Sequence, residues 1–236
     1  MPVFALKHKG GRLGHEESFL AGDGIIISAL YVPAPDRSKT TFILLHGLGS
    51  NQEEWQGFAH KLISAGYGFL SYDARGHGES IKRKDGLAIT YQSFANQGND
   101  SDWFKMIDDL DKAVKYLTNI KGIPEKKIVL MGASLGANIA LVYGASNTAI
   151  KPIVLLSPGM DYAGIRTESA VLQLSQRPVL IAASPADTYA FQSAQLLYQS
   201  IQQNRKAALL IGENAFHGVQ MFDGKFDQKL IKWLRK

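Results

Sequence analysis

The chain has 236 residues, 45% of them hydrophobic and 20% charged, and no cysteine, so it can bury a substantial core, cannot use a cysteine nucleophile, and suits either redox compartment. Its net charge of +5 is mild, and the one tight basic run, Lys82-Arg83-Lys84, does not interleave with aromatics as a nucleic-acid module would, so no nucleic-acid partner is expected. No apolar stretch approaches the roughly 20 residues of a membrane helix and the N-terminus lacks a signal h-region; no membrane span and a cytoplasmic location are expected, a secreted mature form with its signal removed being the alternative.

Strand-like runs fall at 17–20, 25–31, 41–45, 68–72, 127–131, 153–156, 179–183 and 207–211, short and apolar as buried parallel strands are. Residues 1–14 read as irregular. The clearest helix is 103–120, with Phe104, Ile107, Leu110, Val114, Leu117 and Ile120 on one face and Asp108, Asp109, Asp111 and Lys112 on a solvated one. Others are expected just after Ser134, from near Thr167, from near Tyr189, and at 225–234, where Phe226, Leu230 and Trp233 or Leu234 point inward. No linker or repeat divides the chain, which predicts one domain over 1–236. Alternation of strand and helix predicts a mostly parallel eight-stranded sheet covered on both faces, with functional groups at the carboxyl ends of its strands.

Chemistry-bearing residues follow those strand ends. After 41–45 comes His46-Gly47-Leu48-Gly49, whose glycines let the backbone bend so that the Leu48 N–H faces a site; His46 reads as a packed, hydrogen-bonded residue. After 68–72 comes Asp73-Ala74-Arg75-Gly76-His77-Gly78-Glu79-Ser80, where Asp73 and Arg75 are close enough to pair and pin the loop. Residues 81–102 form an irregular stretch with Tyr91 and Phe94, read equally well as a flap or as a surface excursion packed by its own aromatics. After 127–131 comes Gly132-Ala133-Ser134-Leu135-Gly136, where glycines remove bulk around a serine on a sharp strand-to-helix turn and the Leu135 N–H lies at the new helix start.

A serine hydroxyl needs a base within hydrogen-bond reach and an acid to orient that base. In the order expected for such an elbow, serine, acid, histidine, His217 is the only histidine after Ser134, on a loop past 207–211. Asp187 follows the strand 179–183 by a short linker and is the favoured acid; Asp161, after 153–156, is the runner-up. The competing reading of Asp187 is a helix N-cap. Met160 and Tyr162 are candidates to line a substrate pocket, and 158–177 has room for no large lid.

With these motifs in order, the chain resembles the α/β-hydrolase superfamily, specifically small serine carboxylesterase-like and dienelactone-hydrolase-like members. The resemblance implies a single-domain α/β-hydrolase fold, an architectural role for the Asp73–Ser80 loop, and ester hydrolysis through an acyl-serine, with Ser134, Asp187 and His217 as triad and the Leu48 and Leu135 N–H groups as oxyanion hole. Serine rather than aspartate at the elbow favours acyl transfer over dehalogenase or epoxide-hydrolase chemistry. It implies no cofactor, no metal and a small-molecule ester as partner. A thioesterase, lysophospholipase, small-substrate peptidase or perhydrolase shares the constellation, and a non-catalytic binding module is the alternative from another class. The oligomeric state is not legible.

Overall fold

The computed structural model describes residues 13–36, 39–95, 98, 100–174, 176–213 and 216–235. Most of the segment expected to be irregular, 1–14, lies outside these residues, as do Asn214 and Ala215 in the loop before His217.

Ten strands are described: β1 (His15–Leu20), β2 (Ile26–Val32), β3 (Thr41–Leu45), β4 (Gly68–Tyr72), β5 (Ile128–Ala133), β6 (Ile153–Leu156), β7 (Asp161–Tyr162), β8 (Ile165–Arg166), β9 (Val179–Ala183) and β10 (Ala207–Ile211). Eight form one sheet in the order β1-β2-β4-β3-β5-β6-β9-β10, while β7 and β8 make a separate hairpin. β2 runs antiparallel to β1 and β4, and every pairing from β4 to β10 is parallel. The helices are α1 (Gln56–Ser64), α2 (Asp102–Lys115), α3 (Leu135–Ser146), α4 (Glu168–Leu172), α5 (Thr188–Ser200) and α6 (Lys225–Leu234). None is long and apolar enough to cross a membrane.

The period-two alternation of each strand builds two cores. Ile43, Leu70, Leu130, Leu155 and Ile181 point to the side covered by α2, α3 and α5, with Leu110, Val114, Ile139 and Leu197. Phe42, Leu44, Phe69, Met131, Val154 and Leu180 point to the side of α1 and α6, with Phe58, Leu62, Phe226 and Leu230. Each fully buried Leu, Ile or Phe contributes about 1.5–3 kcal/mol relative to exposure, so covering both faces is what holds the sheet.

Two expectations for the 103–120 helix need correction. Ile120 is 69% exposed because α2 passes at Tyr116 into a wider turn, in which the Lys121 N–H donates to the Tyr116 carbonyl, and the extra residue per turn rotates Ile120 off the apolar face. Asp109, placed on the solvated face, is buried. Its Oδ2 and Oδ1 accept from Arg75 Nε at 2.6 Å and Nη2 at 2.7 Å. Arg75 therefore does not pair with Asp73: its Nη1 reaches Asp23 and Asp102, both at 2.9 Å. Asp73 accepts instead from the backbone N–H groups of Gln52 and Glu79, because a guanidinium buried on the α2 side is satisfied only by carboxylates on that side.

Register brings the strand ends into line. Tyr72 pairs with Leu45, Leu45 with Gly132, Gly132 with Leu155, Leu155 with Ile181, and Ile181 with Leu209. Residues a step or more beyond that row, His46, Ser134, Ser157, Asp187 and His217, consequently leave the sheet along one edge.

Candidate active site

Ser134 is the hinge between β5 and α3, at φ 54° and ψ −120°, a left-handed conformation that costs a non-glycine residue of order 1–3 kcal/mol. Its N–H donates to the Leu156 carbonyl at 2.8 Å, continuing the ladder past the last strand residue. The two glycines of the motif are required by close approach: a Cβ on Gly132 would strike the Gly136 carbonyl, and one on Gly136 would strike the carbonyl oxygens of Leu45 and His46. Packing of α3 against the ends of β3 and β5 thus forces the serine outward.

Ser157, at φ 49°, and Ala163, at φ 52°, are the other left-handed non-glycine residues described, the first just past β6 and the second in the turn between β7 and β8. Ser157 is fully buried. Its N–H donates to Ala182 O at 2.7 Å, and its Oγ accepts from the Gly218 N–H at 2.9 Å. That second bond ties the His217 loop to the end of β6. A Cβ placed on Gly218 would lie 3.2 Å from Ala133 Cβ, so the residue after His217 sits against the one before Ser134.

Asp187 occupies the N-cap position of α5, yet its side chain makes no capping bond; its Oδ2 accepts from His217 Nδ1 at 2.6 Å. With the proton at Nδ1, Nε2 is left as an acceptor. The His217 side chain is 41% exposed and that of Asp187 17%. Asp161, the runner-up acid, lies on β7 and engages Arg166 Nε at 3.1 Å. Among the described residues Ser134 makes no hydrogen bond to His217; the Tyr162 hydroxyl, close to it, donates to the Ser157 carbonyl at 3.4 Å.

Tyr162 is carried by the β7–β8 hairpin, which α3 and α5 clamp. Buried Asn138 of α3 donates to Ile165 O at 2.8 Å and accepts from the Gly159 N–H at 3.0 Å. Ser193 Oγ accepts from the Met160 N–H, and Tyr189 Oη exchanges two bonds with the Asp161 backbone. Burial pushes the Tyr162 hydroxyl up to about 12, with the nearby Asp187 charge acting the same way; it stays a neutral donor at ordinary pH. Met160 is half-buried behind it. The hairpin and short α4 are the whole excursion between β6 and β9, so there is no large lid.

Opposite lies the turn after β3. Its Ser50 N–H closes on the Gly47 carbonyl at 3.1 Å, and a Cβ on Gly47 would fall 3.4 Å from Ser134 Cβ, so the turn overlies Ser134. The Gly47 N–H is taken by Glu54 Oε1 at 3.1 Å, whereas no bond to another described residue occupies the Leu48 N–H. His46 donates from Nδ1 to Gly47 O at 2.7 Å, and its Nε2 accepts from the Ala74 N–H at 2.9 Å. Burial brings it down to about 3, which keeps it neutral. His77 is buried too, donates to Arg75 O and stacks on Tyr91 at 4.1 Å.

Ser157, Asn138 and Glu54 escape sequence reading. Asn138 leaves a trace, as a polar residue on an otherwise apolar helix; Ser157 and Glu54 leave none, since their partners are 61 and 7 residues away and are set by the sheet edge.

A parallel sheet with a serine elbow at the end of its fifth strand, and acid and histidine loops beyond later strands, defines the α/β-hydrolase class. The family model described as serine aminopeptidase, S33 (Hydrolase_4), matches residues 36–208, and the chain belongs to that family of α/β hydrolases. The uncharacterized protein YqkD of Bacillus subtilis is 30% identical over 120 residues, 50% of this chain and 33% of that protein. The putative esterase/lipase 2 of Mycoplasma pneumoniae is 29% identical over 134 residues, 55% of this chain and 42% of that protein. The match thus spans less than half the length of these curated relatives. In fold, the chain is similar to the Pyrococcus furiosus esterase Pf2001 (TM-score 0.73, 22% identity, 94% of this chain and 91% of that one). It is also similar to the dienelactone hydrolase of Anabaena variabilis (TM-score 0.68, 17% identity, 94% and 97%).

Proposed function

We propose that the chain is a serine ester hydrolase that cleaves a carboxylic ester of a small or medium substrate through an acyl-serine. The observation that carries this reading is the 2.6 Å Asp187–His217 bond on a loop packed beside the strained Ser134 turn. Asp187 holds the imidazole with its proton at Nδ1 and stabilises its charged form, so that Nε2 can take the serine proton. The Ser134 hydroxyl must close on Nε2 for this, a tightening that free enzymes commonly leave to the substrate.

Attack of Oγ on the ester carbonyl forms a tetrahedral oxyanion, and the Leu48 and Leu135 N–H groups are its donors. His217 then returns the proton to the leaving alcohol. Water, deprotonated by the same nitrogen, attacks the acyl-serine and releases the acid. Tyr162 and Met160 wall the acyl side. The esterase names of the Mycoplasma and Pyrococcus relatives favour esters over thioesters and amides.

Stoichiometric labelling of Ser134 by a fluorophosphonate, with hydrolysis of p-nitrophenyl esters, is the test. Ser134→Ala should abolish labelling and lower kcat by roughly 10⁴–10⁶. Folded wild-type protein that neither labels nor hydrolyses would instead be a binding module. Faster turnover of acyl-CoA, lysophospholipid or aminoacyl anilides would move the assignment within serine hydrolases.

A further inference from the structure

Glu54 is a half-buried carboxylate at the site edge that the triad does not use. It sits in the single 3₁₀ turn Gln52–Trp55, started by Asn51, whose side chain accepts from the Glu53 N–H at 2.8 Å. That turn aims Glu54 back beneath the Gly47–Ser50 segment. There Oε1 accepts from the Gly47 N–H at 3.1 Å, and the Ser50 side chain lies near the same carboxylate. One side chain therefore holds the start of the turn that carries the Leu48 N–H and faces its end.

The second carboxylate oxygen lies 4.0 Å from where a Gly47 Cβ would be, and that point is 3.4 Å from Ser134 Cβ. The carboxylate is also close enough to His217 for their charges to attract. Burial raises its pKa, while the bonds from Ser50 and Gly47 and the His217 charge act in the opposite direction. Other ionisable groups near the turn include His46, held neutral by burial, Tyr91, whose hydroxyl lies 3.3 Å from where a Gly49 Cβ would be, His77 stacked on Tyr91, and Asp187 bonded to His217.

The geometry points to Glu54 as the positioning residue of the oxyanion turn: it occupies the Gly47 N–H and fixes the 47–50 backbone so that the Leu48 N–H is the donor offered to the oxyanion. This rests on the serine-esterase reading. The physical reason is that a donor shifted by about 1 Å can lose on the order of 10²-fold in rate, and a glycine-rich turn has no side chains of its own to resist the shift. A carboxylate that holds the Gly47 N–H beside the site supplies that resistance.

The test compares Glu54→Ala and Glu54→Gln with wild type, using p-nitrophenyl acetate and a trifluoromethyl ketone whose hydrated adduct mimics the oxyanion. Glu54→Ala loses the grip: kcat should fall roughly 10- to 100-fold with KM within about threefold, and ketone affinity should fall in step. Glu54→Gln keeps an acceptor oxygen and should lose less in kcat.

The role is overturned by a folded Glu54→Ala protein with kcat within twofold of wild type, or with only KM raised, or by a Glu54→Gln protein that loses as much kcat as Glu54→Ala. Should Glu54→Ala fail to fold, Glu54→Asp, whose carboxylate is drawn back by one methylene, takes its place and is read by the same outcomes. Wild-type protein inert to esters and fluorophosphonate sinks the esterase reading itself, whereas an active, labelled wild type beside unaffected variants sinks only the role of Glu54.

Discussion

Two charged clusters leave the same sheet edge and are built to opposite ends. Arg75, 1% exposed, spends its guanidinium on Asp109, Asp23 and Asp102. Asp187 and His217 share one short bond and remain open to solvent on the histidine side. A saturated group in a buried cluster has nothing left to offer a ligand, so the first braces the Asp73–Ser80 loop against α2. The second keeps a ring nitrogen uncommitted, and chemistry requires such an unsatisfied group. Burial and charge alone would rank the Arg75 cluster first; counting free lone pairs reverses the order.

Breaking each cluster should therefore have different readouts. The largest expected effect is on the open pair: Asp187→Asn should lower kcat by about 10⁴, if a wrong imidazole tautomer costs here what it costs in serine proteases, with little change in urea midpoint. A loss in Asp161→Asn with Asp187→Asn active would transfer the acid role to the β7 residue.

For the closed cluster the sign inverts. Asp109→Ala leaves a buried guanidinium short of its principal partner and should lower unfolding free energy by about 3–5 kcal/mol, while the folded fraction keeps near wild-type kcat. A stability loss below about 1 kcal/mol, the size of a surface pair, would make the cluster ornamental.

The smallest effect concerns His46, which belongs to neither cluster but closes the turn beside them. Its folded value of about 3 lies below the 6.5 of the unfolded chain. Below pH 6.5 the unfolded chain binds a proton that the folded one refuses, so this contribution is complete above that pH and is lost on acidification. The slope is about 1.4 kcal/mol per pH unit. Unfolding midpoints at pH 7, 6 and 5 should show it, and His46→Gln should flatten it by one proton; an unchanged slope in that variant would place the acid-sensitive group elsewhere.

Much of the site's location was legible in local sequence. Gly132 and Gly136 announce a tight turn because no side chain fits where α3 meets the ends of β3 and β5, and a histidine past the last strand run can only emerge at the same edge. Asp187 and Asp161 each follow a strand run, so sequence favoured Asp187 only by its short linker and the helix after it, and it is the folded chain that joins Asp187 to His217. Partners across the sheet were not legible: Asp109, read as solvated from helical periodicity, is buried because Arg75 arrives from a loop 34 residues upstream.

By itself the sequence determined which segments become strands and helices and which residues stand at strand ends, because period-two and helical patterns and glycine sterics act over a few residues. Only the tertiary structure decided which ends lie side by side. The strand order puts β3 between β4 and β5 and brings β6, β9 and β10 next in line, and that order sets Ser157 on the histidine loop and Tyr162 on the serine. Those contacts depend on hydrogen-bond register between strands far apart in the chain, which no local pattern encodes.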